Sequence, residues 1–382
     1  MNKYSTDSEN VKGKRMSDWK MVKLCDVCEK GSSNIAQNEI AENDGEYPIY
    51  GASGFIKNVD FYKQDKPYIG IVKDGAGVGR VSVHPAKSSL IGTMQYIFPK
   101  ENVDIKFLAE FLKYQDLSRF YTGATIPHIY FKDYQNIPLK LPSIQAQKHI
   151  SAVLDKCTEL IAKNKQILEK YDILIKSRFI EMFGDNPTEN GKWKIEKLGM
   201  LGTCKNGMNF SYEDNGFVIN CLGVGDFKDN AVISDCENLS VISLNEKPSE
   251  EYLLRNNDIV FVRSNGNKEL VGRSVLIHPT VLTTFSGFCI RFRLTSKEVN
   301  PLFLLQFLKM PNTRKNMAGR GANIQNLNQQ ILSVLNTPVP PIELQNDFAA
   351  FVQQIDKSKF AVQKSLEKAE TLYKSLMQEY FG

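Results

Sequence analysis

The segments SRFIEMFG (177–184) and SLMQEYFG (375–382) lie 198 residues apart and agree at serine, glutamate, phenylalanine and glycine. A single offset that recurs along a chain is the mark of an internal repeat. Here the same offset holds over about sixty residues, so the chain carries a duplicated unit. Two further pairs of segments match at this offset: GATIPH (123–128) with GANIQN (321–326), and LPSIQAQ (141–147) with VPPIELQ (339–345).

A second pair of segments marks the start of each copy. WKMVKL (19–24) resembles WKIEKL (193–198) at an offset of 174, so the second copy has 198 − 174 = 24 more residues between its anchors. Between the anchors the copies diverge, and only local similarities survive, such as GRVSVHP (79–85) and GRSVLIHP (272–279). Similar flanks around divergent interiors indicate one scaffold that presents two different recognition surfaces.

Each copy ends in a segment that predicts a long helix. Over 146–182 the apolar residues are spaced alternately by three and four, as in a coiled-coil seam, and over 348–376 the pattern repeats. At 1.5 Å per residue each helix would be roughly 55 Å long. The first stripe consists of Ile150, Val153, Leu154, Cys157, Leu160, Ile161, Ile167, Leu168, Tyr171, Leu174, Ile175 and Met182.

Two such stripes need a partner to cover them. We expect the helices to pack on each other as an antiparallel coiled coil, which gives the chain an internal pseudo-twofold symmetry axis. The alternative is a homodimeric coiled coil between two chains.

The remaining sequence predicts a mixed fold. Residues 68–85 and 258–279 have short β-rich runs broken by glycine, typical of hairpins, and short helices are expected near 104–117 and 300–310. The fold class is therefore α+β, with two tandem recognition domains that are each followed by a long helix. The expected organisation is a flexible leader (1–18), a first domain (19–143), a central helical spacer (144–190), a second domain (191–341) and a C-terminal helical spacer (342–382).

Composition excludes several classes of protein. The 382 residues, 42% of them hydrophobic and 24% charged, suit a globular protein of two domains, and no run of 18 apolar residues predicts a membrane span. Seven scattered cysteines and a polar N-terminus without a signal peptide suggest the cytoplasm. Cys25 and Cys28 form a CxxC, but zinc needs two more ligands, so we expect a structural role.

No motif predicts catalysis. GAGVGR (75–80) is followed by another predicted strand, not by the helix that a phosphate-binding loop requires, so it is read as a hairpin loop. FGDNPTEN (183–190) follows a helix and is read as a turn between the two copies. The four histidines show no spacing for a metal or a triad. A binding protein is therefore favoured over an enzyme.

Basic and amide side chains in the variable stretches are the candidates for contact with nucleic acid. Lysine and arginine neutralise phosphates, while arginine, asparagine and glutamine can form paired hydrogen bonds with base edges. The candidates in the first copy are Lys73, Arg80, Thr125, His128, Tyr130 and Lys132, and those in the second are Arg263, Asn265, Asn267, Lys268, Arg273, Arg320, Asn323, Gln325 and Asn326.

The arrangement resembles the specificity subunit of a Type I restriction-modification enzyme over residues 19–382. The resemblance rests on the entries at Trp19 and Trp193, the GATI and GANI segments, the proline-to-glutamine boundaries that end at Gln147 and Gln345, and the helices ending in FG. Each motif alone is weak, but their order and duplication are specific.

The resemblance implies that two domains each read one half of a split, asymmetric site in double-stranded DNA. It also implies that the helices set the spacing and dock two modification subunits, which methylate adenine with S-adenosylmethionine. ATP and Mg would belong to partner restriction subunits, so this chain would bind no cofactor or metal and have no catalytic residue.

Two alternatives remain at this point. The first is a coiled-coil scaffold that assembles partners without reading DNA. The second is a fused restriction-methylation enzyme, for which the chain has no methyltransferase segment.

Overall fold

The computed structural model describes residues 19–123, 127–211, 215–227, 231–317 and 326–382; the expected leader lies outside them. The chain divides into two compact units. Unit 1 contains the described residues up to Lys165 together with Lys364–Gly382, and unit 2 contains Gln166–Gln363. Each unit therefore combines residues from both copies of the sequence repeat.

Unit 1 has a four-stranded sheet in the order β2-β8-β5-β6, a three-stranded sheet β4-β3-β7 and a two-stranded sheet β1-β9. Its strands are β1 (Lys20–Lys23), β2 (Cys28–Ser32), β3 (Tyr47–Gly51), β4 (Gly54–Val59), β5 (Tyr68–Val72), β6 (Val81–His84), β7 (Ser89–Leu90), β8 (Met94–Pro99) and β9 (Pro138–Leu141). Its shorter helices are α1 (Leu24–Val27), α2 (Ile105–Tyr114) and α3 (Phe131–Tyr134), with 3-10 turns at Gln37–Ile40 and Leu117–Phe120.

Unit 2 also has three sheets: a five-stranded sheet in the order β11-β18-β15-β16-β13, a three-stranded sheet β14-β12-β17 and a two-stranded sheet β10-β19. Its strands are β10 (Lys194–Lys197), β11 (Gly202–Asn206), β12 (Phe217–Leu222), β13 (Val232–Ile233), β14 (Val241–Leu244), β15 (Asp258–Val262), β16 (Ser274–Ile277), β17 (Thr283–Phe285), β18 (Cys289–Leu294) and β19 (Asn336–Val339). Its shorter helices are α5 (Leu198–Leu201), α6 (Pro301–Lys309), α7 (Pro311–Met317) and α8 (Gln329–Ser333), with 3-10 turns at Val224–Phe227, Glu250–Tyr252 and Lys268–Leu270.

The entry strands show that the sequence repeat is a structural repeat. The tryptophan-led segment of each copy pairs antiparallel with the segment before the long helix, with Lys20 opposite Leu141 in unit 1 and Lys194 opposite Val339 in unit 2. These two registers are related by the offsets of 174 and 198 found in the sequence. The predicted hairpins are confirmed as β5–β6 and β15–β16, both antiparallel.

A buried glutamine joins each short helix to the following long helix. Gln147, 1% exposed, accepts a hydrogen bond from the N–H of Asp104 (2.8 Å) and donates to the carbonyl of Pro142 (2.9 Å). Gln345 repeats this arrangement with Asn300 (2.8 Å) and Pro340 (2.7 Å). The glutamine at the proline-marked boundary therefore satisfies backbone groups that burial would otherwise leave unpaired.

The two long helices are α4 (Ile144–Phe183) and α9 (Ile342–Phe381), each of 40 residues and about 60 Å long. The prediction of two long helices is confirmed. A glycine in the left-handed region, Gly184 with φ +96°, follows α4, as is common after helices. The side chains of Asn190 (2.9 Å) and Trp193 (3.0 Å) then donate hydrogen bonds to the carbonyl of Phe183. The predicted turn over 183–190 is thus confirmed.

The long helices run antiparallel within each unit. In unit 1 Asn164 of α4 donates a hydrogen bond to Ser365 of α9 at 3.1 Å. In unit 2 Lys359 pairs with Asp172 at 2.7 Å, and the ring of Phe179 lies against that of Phe348. Residue numbers rise along one helix while they fall along the other, which is the expected antiparallel packing.

Each unit buries the ends of both helices against its α+β domain. In unit 2 Phe179 and Phe183 pack on Phe303 of α6, with ring centroids 5.6 and 4.7 Å apart. In unit 1 Phe381 packs on Phe107 of α2 at 5.3 Å, and Met377 is 6% exposed in the same core. The phenylalanines of the two FG termini therefore stabilise the joints between helix and domain.

The predicted apolar stripe is only partly buried. Ile150, Leu154, Cys157 and Ile175 are buried, but Leu160, Ile167 and Leu174 are 45%, 39% and 44% exposed. The expectation that neither stripe stays exposed to water is thus wrong for these three residues and, in the second stripe, for Leu372, which is 52% exposed. Two paired helices cover only a narrow seam, and a wider stripe needs a third surface, which the domains supply at the helix ends.

Two smaller features complete the fold. Cys28 is buried and its thiol donates to the carbonyl of Leu24, while burial raises the pKa of Cys28 to about 12. Within the described ranges no group of three or more metal-ligand side chains occurs, and no helix is long and apolar enough to cross a membrane.

Candidate nucleic-acid interface

The candidate surface of each unit lies where two central strands end side by side. In unit 1 Val72 of β5 is paired with Met94 of β8, and just beyond them the N–H of Lys73 donates to the carbonyl of Thr93 at 3.0 Å. In unit 2 Val262 of β15 is paired with Cys289 of β18, and the N–H of Arg263 donates to the carbonyl of Phe288 at 2.7 Å. We call these two places the strand-end sites.

The segments after GATI and GANI return to the strand-end sites. The N–H of Ile129 donates to the carbonyl of Lys73 (2.9 Å), and the N–H of Leu327 donates to the carbonyl of Arg263 (2.8 Å). Ile129 and Leu327 are 198 residues apart, the offset of the repeat. The same backbone framework therefore holds both sites, while the side chains on it differ.

In unit 1 the strand-end site carries a cluster of polar and aromatic side chains. The carboxylate of Asp74 accepts from Lys73 (2.8 Å) and contacts the ring of His128. That ring lies 4.0 Å from the ring of Tyr130, which is 49% exposed, and the ammonium of Lys132 lies 5.1 Å from the Tyr130 centroid. Four predicted residues, Lys73, His128, Tyr130 and Lys132, are thus brought together.

Arg80 lies at the far end of the glycine loop that begins after β5. Its guanidinium donates to the carbonyl of Ala52 at 3.0 Å, and β6 begins at the next residue, which confirms the hairpin interpretation. Gly79, with φ +85°, passes so close to another chain segment that an added Cβ would lie 2.4 Å from the backbone nitrogen of Ser118. Only glycine fits there without a shift of the backbone.

In unit 2 the strand-end site carries the guanidinium of Arg263. Arg263 donates to the carbonyl of Gly287 at 3.4 Å, and among the described residues no acidic group forms an ion pair with it. Asn265 and Asn267 hold the loop, since Oδ1 of Asn265 accepts from the N–H of Asn267 and Oδ1 of Asn267 accepts from the N–H of Glu269. Their amide oxygens therefore serve the loop's own backbone.

The other predicted residues fall in three groups. Asn326 is exposed and lies next to Leu327 at the strand-end site. Thr125, Arg320, Asn323 and Gln325 lie outside the described residues, as does the side chain of Lys268. Arg273 lines a cavity of about 440 Å³ in unit 2, together with Lys309, Asp172 and Asp356. Burial lowers the pKa of Lys309 to about 8 in this cavity.

Three residues of the strand-end sites were missed by the sequence reasoning. The candidates were chosen as basic and amide side chains. Asp74 is acidic, and Thr93 and Phe288 are uncharged, so none of the three met this criterion. The signal of Thr93 and Phe288 was positional. These two residues lie directly before buried strands, in the segments GTM (92–94) and GFC (287–289), which become comparable only when the two copies are aligned.

Together, the fold and the strand-end sites define a tandem recognition protein with one framework and two different contact surfaces. Comparison with known sequences gives the family. The profile of the "Type I restriction modification DNA specificity domain" matches residues 16–171 and 190–370. The chain therefore belongs to this family and carries two matching segments, one in each copy of the repeat.

Two relatives illustrate the match. The chain is 27% identical over 303 residues to the StySPI specificity subunit of Salmonella potsdam, covering 73% of this chain and 64% of that protein. It is 23% identical over 407 residues to the MjaVIII specificity subunit of Methanocaldococcus jannaschii, covering 94% of this chain and 91% of the relative.

Solved structures agree on the fold. The S subunit of a Type I restriction-modification system from M. genitalium superposes with a TM-score of 0.63 at 15% identity, covering 96% of both chains. A second structure, from work on complex assembly and conformational transition of the type I R-M system, gives a TM-score of 0.53 at 14% identity, covering 95% of this chain and 97% of that chain. The expected fold class is thus confirmed.

Proposed function

We propose that this chain is the specificity subunit of a Type I restriction-modification complex and reads a bipartite, asymmetric DNA site. The observation that carries the proposal is the pair of strand-end sites. Both are built on the same backbone hydrogen bonds, yet one presents Lys73 beside Thr93 and the other presents Arg263 beside Phe288. Unlike side chains on a common framework suit two unlike half-sites.

The chemistry of the sites supports contact with DNA. Arg263 can form paired hydrogen bonds with guanine or neutralise a phosphate, and exposed Tyr130 can stack or donate a hydrogen bond. The net charge of +5 over 382 residues is small, so we expect partner subunits to share in phosphate neutralisation.

We further propose that partners supply the chemistry. Two modification subunits would dock on the helical spacer and methylate adenine with S-adenosylmethionine. Restriction subunits would translocate and cleave with ATP and Mg. This chain would then act in the cytoplasm as a recognition subunit without catalytic residues of its own. The exposed apolar residues of the long helices, such as Leu160 (45%) and Leu174 (44%), offer surface for such docking.

The scaffold alternative has less support. The relatives of this chain are specificity subunits. A scaffold that does not read DNA would also not need two divergent surfaces on one framework.

The test is to map methylated adenines in DNA from cells with and without this gene, with expression of the modification partner verified in both. We expect a split motif with two unlike halves to lose methylation when the gene is deleted. Unchanged methylation in the deletion strain, with the partner expressed, would overturn the proposal. A palindromic motif would contradict its asymmetry.

A further inference from the structure

The strand-end site of unit 2 exposes the aromatic side chain of Phe288 to solvent. It is 62% exposed in the turn between β17 and β18, and among the described residues no other aromatic ring stacks on it. Its neighbour Cys289 is fully buried. Single exposed apolar residues are common on protein surfaces, but this one differs in how its backbone is held and in the side chains beside it.

The turn that carries Phe288 is fixed at several points. The N–H of Phe288 donates to Oγ of Ser286 (3.3 Å), and the N–H of Cys289 donates to the Ser286 carbonyl (2.8 Å). The carbonyl of Phe288 accepts from both Arg263 (2.7 Å) and Ser264 (3.4 Å). A backbone held on both sides loses little conformational entropy when the side chain meets a ligand.

The neighbours of Phe288 suit a base-reading surface. The guanidinium of Arg263 lies against the Gly287 carbonyl, next to Phe288 in the chain. On the other side Asn209 packs so close that an added Cβ on Gly287 would lie 2.0 Å from its Oδ1. A cation, an amide and an aromatic ring thus lie at one short turn, Arg263 and Asn209 beside it and Phe288 within it. These are the groups that contact guanine, adenine and the thymine methyl.

The same position in unit 1 carries a different side chain. The carbonyl of Thr93 accepts from the N–H groups of Lys73 (3.0 Å) and Asp74 (3.3 Å), as that of Phe288 accepts from Arg263 and Ser264. Thr93 is also exposed. Two rigid, exposed and structurally equivalent positions therefore present a hydroxyl in one domain and a phenyl ring in the other.

We propose that Phe288 and Thr93 are equivalent specificity-determining residues, each selecting one base of the half-site that its domain reads. The inference rests on the proposed function. Phe288 makes an apolar contact, such as one with a thymine methyl group. A more polar base edge would bind the phenyl ring less favourably. Thr93 selects through its hydroxyl and its smaller volume.

The experiment uses the full chain, assembled in cells with the modification subunits of its own system and with the wild-type gene deleted. Phe288→Ala, Thr93→Ala and Val218→Ala are compared by mapping adenine methylation over a library with randomised half-sites. Val218 is the matched control, because it is also 62% exposed. It lies near the start of β12, whereas the strand-end site is near the other end of β12, where Leu222 is paired with Phe285. Thermal unfolding of each purified chain verifies folding.

For Phe288→Ala we expect discrimination at one position of one half-site to fall by about tenfold, which corresponds to the loss of one base contact of about 1.4 kcal/mol. Thr93→Ala should relax one position in the other half-site, and Val218→Ala should leave the motif unchanged. An unchanged motif for folded Phe288→Ala, or an even loss of methylation at all sites, would overturn the inference. If the wild-type chain itself directs no split motif, the proposed function fails instead.

Discussion

The central sheets of the two units share a register, and one row of side chains illustrates how their chemistry differs. In unit 1 Tyr68 of β5 lies between His84 of β6 and Phe98 of β8. The Tyr68 ring is 5.4 Å from the His84 ring and 6.5 Å from the Phe98 ring, and its hydroxyl bonds to Ser88 at 2.7 Å. This row is held by stacked and edge-on rings.

In unit 2 the same row consists of Ile277, Asp258 and Arg293. Asp258, 1% exposed, is opposite Ile277 and accepts two hydrogen bonds from the guanidinium of Arg293 (2.8 and 2.7 Å). The guanidinium also donates to the carbonyl of Leu253 at 2.8 Å. An ion pair has replaced an aromatic pair at the same place in the sheet.

The difference shows what the duplicated fold requires. One row further in, Ile69 and Ile259 are both fully buried, so the core row stays apolar in both domains. The outer row can change chemistry provided that all its members change together, since a buried charge needs its partner. In this row all three residues therefore differ between the two domains.

The largest expected effect comes from breaking the ion pair of unit 2. Asp258→Ala leaves the partly buried Arg293 without its carboxylate, so the free energy of unfolding should fall by about 3–5 kcal/mol. Denaturant unfolding with a probe in unit 2 measures this.

The double variant Asp258→Ala/Arg293→Ala is the control. Removing both charges should cost less than the sum of the single variants, because neither charge is left buried alone. A loss below 1 kcal/mol for Asp258→Ala, or strict additivity, would contradict the account of the row.

A smaller effect follows from the histidine of unit 1. Burial lowers the pKa of His84 to about 4, below the value of about 6.5 for an unfolded chain. Between these values the unfolded state binds a proton that the folded state does not, so the stability of unit 1 falls as the pH drops through that window. The loss between pH 6.5 and 4.5 should be about 2 kcal/mol.

The matched variant is His84→Ile, which places the residue of unit 2, Ile277, in the row of unit 1. It should remove this part of the pH dependence, whatever it does to stability at pH 7. Unfolding curves at pH 7.0, 6.0, 5.0 and 4.5 for both chains provide the comparison. Equal slopes for the two chains would show that His84 does not titrate as its burial implies.

The smallest effect is expected at the strand-end sites. Arg263→Ala should weaken DNA binding by the assembled methylating complex by about 1–2 kcal/mol and lower the salt slope by about one. Lys73→Ala should cost less, because Asp74 already neutralises Lys73 in unit 1. Titrations at 50 and 200 mM salt measure both, and an effect of Lys73→Ala equal to that of Arg263→Ala would contradict the comparison.

The elements with a strong periodic or repeated signal were predictable from the sequence. The two long helices, the hairpins after Tyr68 and Asp258, and the helices near 104–117 and 300–310 all occur within a few residues of their expected positions. The shared offset also identified the glutamines at the domain boundaries. These features depend on local patterns, which a single sequence records directly.

The side-chain partners were not predictable in the same way. Nothing local indicates that Asp258 meets Arg293 35 residues later, or that Thr93 and Phe288 occupy equivalent positions, because strand register creates these neighbours. The prediction that the whole apolar stripe on α4 is buried was wrong for a related reason. Helical periodicity shows which residues share a face, but it does not show whether the partner surface is wide enough to cover them.

The composition of unit 1 has a consequence for synthesis. Its core contains Met377, and Phe381 packs on Phe107 and Phe111 of the same core, so the ribosome must translate more than two hundred residues after Lys165 before that core can close. At 5–20 residues per second this takes roughly 10–45 s. The half of the protein that is made first is therefore completed last, and a nascent chain that stalls late leaves its first domain open.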